Sequence, residues 1–319
     1  MINTSKLSRV KKSSESLKNS LKSCSLCPRK CGIDRADGKT GYCRAGLNPV
    51  VYSYSAHHGE EPPLSGTKGS GTIFFSHCGM KCVYCQNYYF SQLDKGREIS
   101  IERLSGMMLS LEKRGCHNIN LVSPTHFVPQ ILMALEMALA AGLNIPLIYN
   151  TSGYESADTI KLLDGIVDIY LADMRYSDDD AAKRYSQAPD YAANNRDALK
   201  EMSAQAGDLV LDENGIAKKG LILRLLVMPN DAGGINDSLT FIKNTLGENT
   251  YLSIMSQYYP TFRAHEFEGI SRRVTRSEYK IIVDEAARLG LNNGWIQDPP
   301  DEVAAKFLGT NIKPDIEAL

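Results

Sequence analysis

The chain of 319 residues is 43% hydrophobic and 23% charged, with a net charge of -1. Those proportions describe an ordinary globular protein, large enough for one sizeable domain with an appendage. They exclude a global positive field for nucleic acid, and no apolar run reaches the roughly 18 to 20 residues of a bilayer span.

Residues 1–22 are polar, with Lys6, Arg9, Lys11, Lys12, Lys18 and Lys22 among Ser and Asn, and read as a disordered basic tail. The start lacks the apolar core of a signal peptide, so the expected compartment is the cytoplasm, where the eight cysteines stay reduced. Residues 23–65 place four of them among Gly, Pro and Asp with little periodicity, the pattern of a loop-rich, metal-bound extension.

From Thr72 onward, short apolar runs alternate with helical periods. Strands are expected at 72–76, 118–122, 145–150, 167–172, 221–227 and 252–256. Ile101, Leu104, Met108 and Leu111 recur at helical spacing, with Ser100 as cap and Gly115 as stop. Further helices are expected at 129–141, 155–164, 178–205, 237–246 and 275–289, and a surface turn at 207–220. Six strand–helix units imply an α/β fold, a partial (βα)6 TIM-like barrel over residues 66–260. Functional groups should then gather at the carboxyl ends of its strands. Residues 261–319, with Trp295 and Pro299-Pro300, are expected to form a C-terminal extension.

Cys78, Cys82 and Cys85 stand as Cys-x3-Cys-x2-Cys directly after the first expected strand of that barrel. Three thiolates on one short loop can hold three irons of a 4Fe-4S cube, leaving the fourth open for chemistry. A zinc site would need a fourth ligand, such as His77 or a distant Cys. His77 reads as a turn residue, with a donor to cluster sulfur as the alternative; Glu60 and Glu61 read as solvated surface carboxylates, with a place facing the active site as the alternative; and Cys116 reads as a small buried hydrophobe.

The cysteine spacing, with Tyr84 before the last Cys, resembles the radical S-adenosylmethionine (SAM) superfamily. The runs HHGEEPPLSGTKGSGTIFFSHCGMKCVYCQN and CSLCPRKCGIDRADGKTGYCRAG are similar to the branch that resembles pyruvate formate-lyase activating enzymes. The resemblance implies a 4Fe-4S cluster on Cys78, Cys82 and Cys85 whose open iron binds SAM. It also implies reductive cleavage to a 5′-deoxyadenosyl radical that takes a hydrogen atom from substrate, with no catalytic residues beyond the cluster ligands. Cofactor contacts implied by position are Tyr84, Ser123 and Thr125 (where related enzymes carry a Gly-Gly-Glu-like turn), Asn150, Ser152, Asp173 and Arg175. For Asp173 and Arg175 a structural ion pair is the alternative. Val227 and Met228 could flank adenine or simply pack in the core.

Upstream, Cys24, Cys27, Cys31 and Cys43 form Cys-x2-Cys-x3-Cys-x11-Cys, four thiolates that suit either zinc or a second iron-sulfur cluster, the alternative being a reduced cysteine-rich loop with no metal. The leading expectation is a radical SAM oxidoreductase acting on an unknown substrate, by analogy a partner protein, with an external one-electron donor. The competing reading is a non-catalytic iron-sulfur electron-transfer or metal-binding protein. A third, a zinc-containing nucleic-acid binder using the basic tail, is disfavoured by the balanced charge.

Overall fold

A computed structural model describes residues 4–299. Among them, the strands are β1 (Val50–His57), β2 (Ser70–Phe75), β3 (Arg97–Glu98), β4 (Ile119–Val122), β5 (Leu147–Thr151), β6 (Ile169–Asp173), β7 (Val210–Leu211), β8 (Ala217–Leu226), β9 (Tyr251–Met255) and β10 (Gly294–Ile296). The helices are α1 (Thr4–Lys18), α2 (Pro62–Ser65), α3 (Tyr88–Ser91), α4 (Ile101–Lys113), α5 (Val128–Ala140), α6 (Ala157–Lys161), α7 (Asp179–Ser186), α8 (Tyr191–Ala206), α9 (Ile235–Phe241) and α10 (Arg276–Arg288).

The sheet runs β10-β9-β8-β6-β5-β4-β2-β1-β3, with neighbours from β10 to β2 parallel and the β1 pairings antiparallel. It is an open, TIM-like barrel whose six expected strands all form. Every residue of β2, β4, β5 and β6 is buried, because parallel strands are covered on both faces. Helices α4, α5, α8, α9 and α10 seal the outside with residues such as Leu104, Met108, Leu135, Leu199, Leu239 and Ile282.

Local chemistry sets the element ends. Ser100 caps α4 by accepting the Arg103 N–H at 3.2 Å. Thr275 and Glu278 close a reciprocal capping box on α10. The helix expected across 178–205 divides into α7 and α8. Gln187 adopts a left-handed φ of 50°, and Pro189, with no N–H to donate, follows it.

Three expectations need correction. Residues 4–22 are not a disordered tail, for α1 spans Thr4–Lys18 with Val10, Ser14 and Leu17 buried, and the buried Leu21 follows; residues 1–3 of that expected tail lie outside the described residues. Lys6 pairs with Asp168, tying this helix to the sheet. The segment 23–65 is loop-rich only as far as residue 49: Val50–His57 form β1, with four consecutive buried residues, and it widens the sheet beside β2. Past residue 260 the chain is not merely an extension: α10 covers the sheet and β10 adds a parallel strand, with Trp295 opposite Ser253. Pro300 to Leu319, the rest of that expected extension, lies outside the described residues. No helix among the described residues is long and apolar enough to cross a membrane.

Candidate active site

Strand β2 delivers the chain into an irregular loop that carries Cys78, Cys82 and Cys85. His77 opens it with a left-handed φ of 71° and donates its amide to Phe90 O at 3.0 Å, so it acts as the expected turn residue. Its Nδ1 lies 3.2 Å from Asp94. The loop sits on its own apolar layer of Met80, Val83, Tyr84, Tyr176, Tyr191 and Tyr258.

Each sulfur meets a hydrogen-bond donor. Cys78 Sγ accepts the Met80 N–H at 3.3 Å, and Cys85 Sγ lies 3.3 Å from Ser91 Oγ. Cys82 Sγ accepts from Ser186 Oγ at 3.0 Å and from Arg175 Nη1 at 3.3 Å. Behind Ser186, Tyr176 OH lies 2.6 Å from Ser186 Oγ and 2.6 Å from Tyr84 OH. A chain of hydroxyls thus ends on the Cys82 sulfur. Burial, with the neighbouring cysteines, pushes the Cys78 thiol up to about 11 and the Cys85 thiol up to about 12. The bare thiols therefore keep their protons at neutral pH, and a metal must displace them.

These donors are what a thiolate-held cluster calls for, since hydrogen bonds to sulfur stabilise its negative charge. A cube assigns each thiolate its own iron, and all three sulfurs have a hydrogen-bonding neighbour of their own. The loop fits the cube.

Beside the loop, at the carboxyl ends of the strands, lies a cleft of about 1200 Å³, part of it open to solvent. Tyr84, Ser123, Asn150, Ser152, Asp173 and Arg175 all line it together with Cys85, so six of the seven positions carried over from the family meet there. Thr125 does not. Its hydroxyl donates to the buried Glu155 at 2.5 Å, and it lines a smaller neighbouring cavity with Cys27 and Cys78. Ser123 adopts a left-handed φ of 57°, a conformation costly for any residue but glycine, where related enzymes carry a Gly-rich turn. Gly153, at φ 75°, passes so close to Asp173 O that an added Cβ would lie 2.2 Å from it. Val227 and Met228 are both 2% exposed in the core, and Leu226 and Met255 line the cleft instead.

The cleft floor is a charged lattice. Arg175 holds Asp173 Oδ2 through Nε at 2.9 Å and Nη2 at 2.5 Å, so the expected ion pair forms and also faces the cleft. Burial opposes the charge on Arg175, but Asp173, Cys82 and Tyr84 push its pKa well up. Arg224 donates through Nε to Asp173 Oδ1 at 3.0 Å, reaches Asn150 Oδ1, and lies 3.5 Å from Glu60. Glu60 and Glu61 are not solvated surface carboxylates: both side chains are buried, and burial pushes both pKa values up while Arg224 opposes it. Arg224 was legible as a lone charge inside the apolar run Leu221–Val227. Nothing in sequence marks Ser186, Tyr176 or Glu155.

Cys24, Cys27, Cys31 and Cys43 line a separate small cavity with His126. Cys116 is 3% exposed in the main core, as expected.

The sequence pattern of the radical SAM superfamily matches residues 72–205. Two Methanocaldococcus jannaschii proteins are similar over most of their length. "Uncharacterized protein MJ0674" is 30% identical over 285 residues, 87% of this chain and 78% of that protein. "Uncharacterized protein MJ0808" is 24% identical over 263 residues, covering 75% and 71%. Among solved structures, the FeFe-hydrogenase maturase HydG from Carboxydothermus hydrogenoformans aligns at TM-score 0.48 and 12% identity, covering 69% of this chain. The chain spans 50% of that HydG chain. Methylornithine synthase PylB aligns at TM-score 0.47 and 13% identity, covering 69% of this chain and 60% of that one. The matched pattern begins in β2, takes in the three-cysteine loop and ends in α8, and over those residues the chain carries a radical SAM superfamily domain.

Proposed function

We propose that this radical SAM enzyme takes a hydrogen atom from a partner protein, in the manner of an activating enzyme. The observation that carries the reading is the meeting of the Cys85 sulfur with polar strand ends in one cleft at the carboxyl face of the sheet. A 4Fe-4S cluster with SAM supplies, when bound, one-electron reductive cleavage and the hydrogen abstraction that follows. The chain's own residues bind, orient and exclude water. Cys78, Cys82 and Cys85 would hold the cluster. Ser123, Asn150, Ser152, Asp173 and Arg175 offer donors and acceptors for the amino-acid and ribose parts, and Leu226 and Met255 offer an apolar wall. Asp173 helps to hold the Arg175 guanidinium charged.

A protein substrate is supported by the rim. Tyr89 is 48% and Tyr259 40% exposed, on segments that follow the cleft residues Gln86, Asn87 and Gln257. The two segments are joined by a Tyr88–Phe262 stack with centroids 4.7 Å apart. Exposed aromatics at a site mouth suit macromolecular contact. The electron comes from an external one-electron donor, and the unpaired cysteines favour a cytoplasmic setting.

The test is anaerobic. Reconstituted enzyme with dithionite and SAM should form 5′-deoxyadenosine, and a retained cluster without that product would support the electron-transfer alternative. Adding a deuterated cell extract split into macromolecular and small-molecule fractions then locates the substrate. Deuterium should enter 5′-deoxyadenosine from the macromolecular fraction, and label arriving only from small molecules overturns the protein-substrate reading.

A further inference from the structure

Residues 22–49 contain no helix or strand, yet Leu26, Arg35 and Ala45 are buried there. Backbone bonds fold the segment back on itself: Cys24 donates to Ile33 O at 2.9 Å, Gly32 to Cys24 O at 2.9 Å and Lys30 to Cys27 O at 3.0 Å. The loop brings Cys24, Cys27, Cys31 and Cys43 to the wall of a single cavity. Gly41 leaves room for Cys31, whose Sγ would lie 2.9 Å from a Cβ placed there.

The quartet is fastened to the catalytic loop. Arg29 Nε donates to Gly79 O at 3.2 Å, and its guanidinium stacks on Tyr42 at 3.7 Å. Arg35, fully buried, donates to Gly46 O and to His126 O at 2.7 Å. His126 in turn bonds Ser76 O at 2.7 Å, at the end of the strand that leads into the cysteine loop. Cys27 of the quartet and Cys78 of the catalytic loop line one small cavity between them.

We propose that Cys24, Cys27, Cys31 and Cys43 hold a second 4Fe-4S cluster that passes one electron to the catalytic cluster. Two buried and two half-buried thiols on a segment without helix or strand call for a metal to order it, and each sulfur of a cube ligates a different iron. Zinc, which would gather the four sulfurs about 2.3 Å from one point, is the competing occupant that the metal count separates. The electron enters from a low-potential one-electron carrier, reduces the second cluster and leaves it for the first; no bond is made or broken at the quartet. The relay role rests on the radical SAM reading, whereas the metal site does not.

The experiment counts metal in the full chain after anaerobic reconstitution. Wild type should carry roughly eight irons and two reduced-cluster EPR signals, one of them altered by SAM. C31A/C43A should lose roughly four irons and the SAM-insensitive signal. C78A/C82A/C85A should keep roughly four irons and that same signal, whether or not SAM is ever cleaved. With reduced ferredoxin as donor, C31A/C43A should lose 5′-deoxyadenosine formation, while titanium citrate restores it. A zinc ion in place of the second set of irons, or roughly four irons in wild type with none in C78A/C82A/C85A, overturns the site. Equal rates with both reductants overturn the relay.

Discussion

Arg175 joins the two halves of the site: Nη1 lies 3.3 Å from Cys82 Sγ, while Nε holds Asp173 Oδ2 at 2.9 Å. One side chain therefore ties the cluster loop to the end of β6 and places a fixed positive charge beside the sulfur. Replacing it with lysine, a point charge without the planar fork, cannot serve both partners. Arg175→Lys should retain iron but form 5′-deoxyadenosine about 10- to 100-fold more slowly. Its cluster should also reduce at a more negative potential. An unchanged potential by redox titration would remove Arg175 from the cluster's environment.

The hydroxyl chain from Tyr84 through Tyr176 to Ser186 ends on the same sulfur. Deleting the terminal donor should matter more than deleting the distant one. Ser186→Ala is expected to lower the midpoint potential and slow SAM cleavage about tenfold, and Tyr84→Phe to shift the potential less. The check is potentiometry followed by EPR. A larger shift for Tyr84→Phe would contradict the order of the chain.

Arg224 neutralises Asp173 and faces Glu60 and Glu61 in a buried setting. Arg224→Met leaves those carboxylates without it and should destabilise the protein by about 3 to 5 kcal/mol. Adding Glu60→Gln should recover part of that loss. Urea unfolding of the single and double variants measures both, and strict additivity would show that Arg224 and Glu60 do not interact.

Glu155 is buried beneath the cleft, and burial pushes its pKa from 4.5 to about 7 despite donors from Thr125, Thr151 and Tyr149. The folded protein binds this proton more tightly than the unfolded chain does. The associated stability is thus fully present below about pH 4.5 and is lost as pH rises through about 7, by about 3 kcal/mol in all. Glu155→Gln carries no such proton. The stability difference between wild type and Glu155→Gln should therefore fall across that window, and a difference independent of pH would be wrong for a buried, protonated carboxyl.

Much of the architecture was legible because its signals are local. The runs around Ile73, Leu121, Ile148, Leu171, Leu223 and Ile254 are apolar and bounded by turns, so all six strands appear within a few residues of their expected places. The helix α1 was missed because its stripe of Val10, Leu17 and Leu21 is thin among lysines and serines, and only docking makes it persist. The strand β10 was missed for a related reason, since three residues acquire strand geometry only by pairing with β9.

Spacing along the chain was enough to find the three-cysteine loop, because its ligands lie within eight consecutive residues. What surrounds those ligands belongs to the tertiary structure. Ser186 meets Cys82 across 104 positions, and Arg224 meets Glu60 across 164. Such distant pairs follow from strand order and helix packing, which no local pattern encodes. The burial of Glu60 and Glu61 and the shared wall between Cys27 and Cys78 were likewise decided by how the N-terminal segment folds onto the sheet. Residue type sets which chemistry is available, and the three-dimensional neighbours set its charge, its donors and its access.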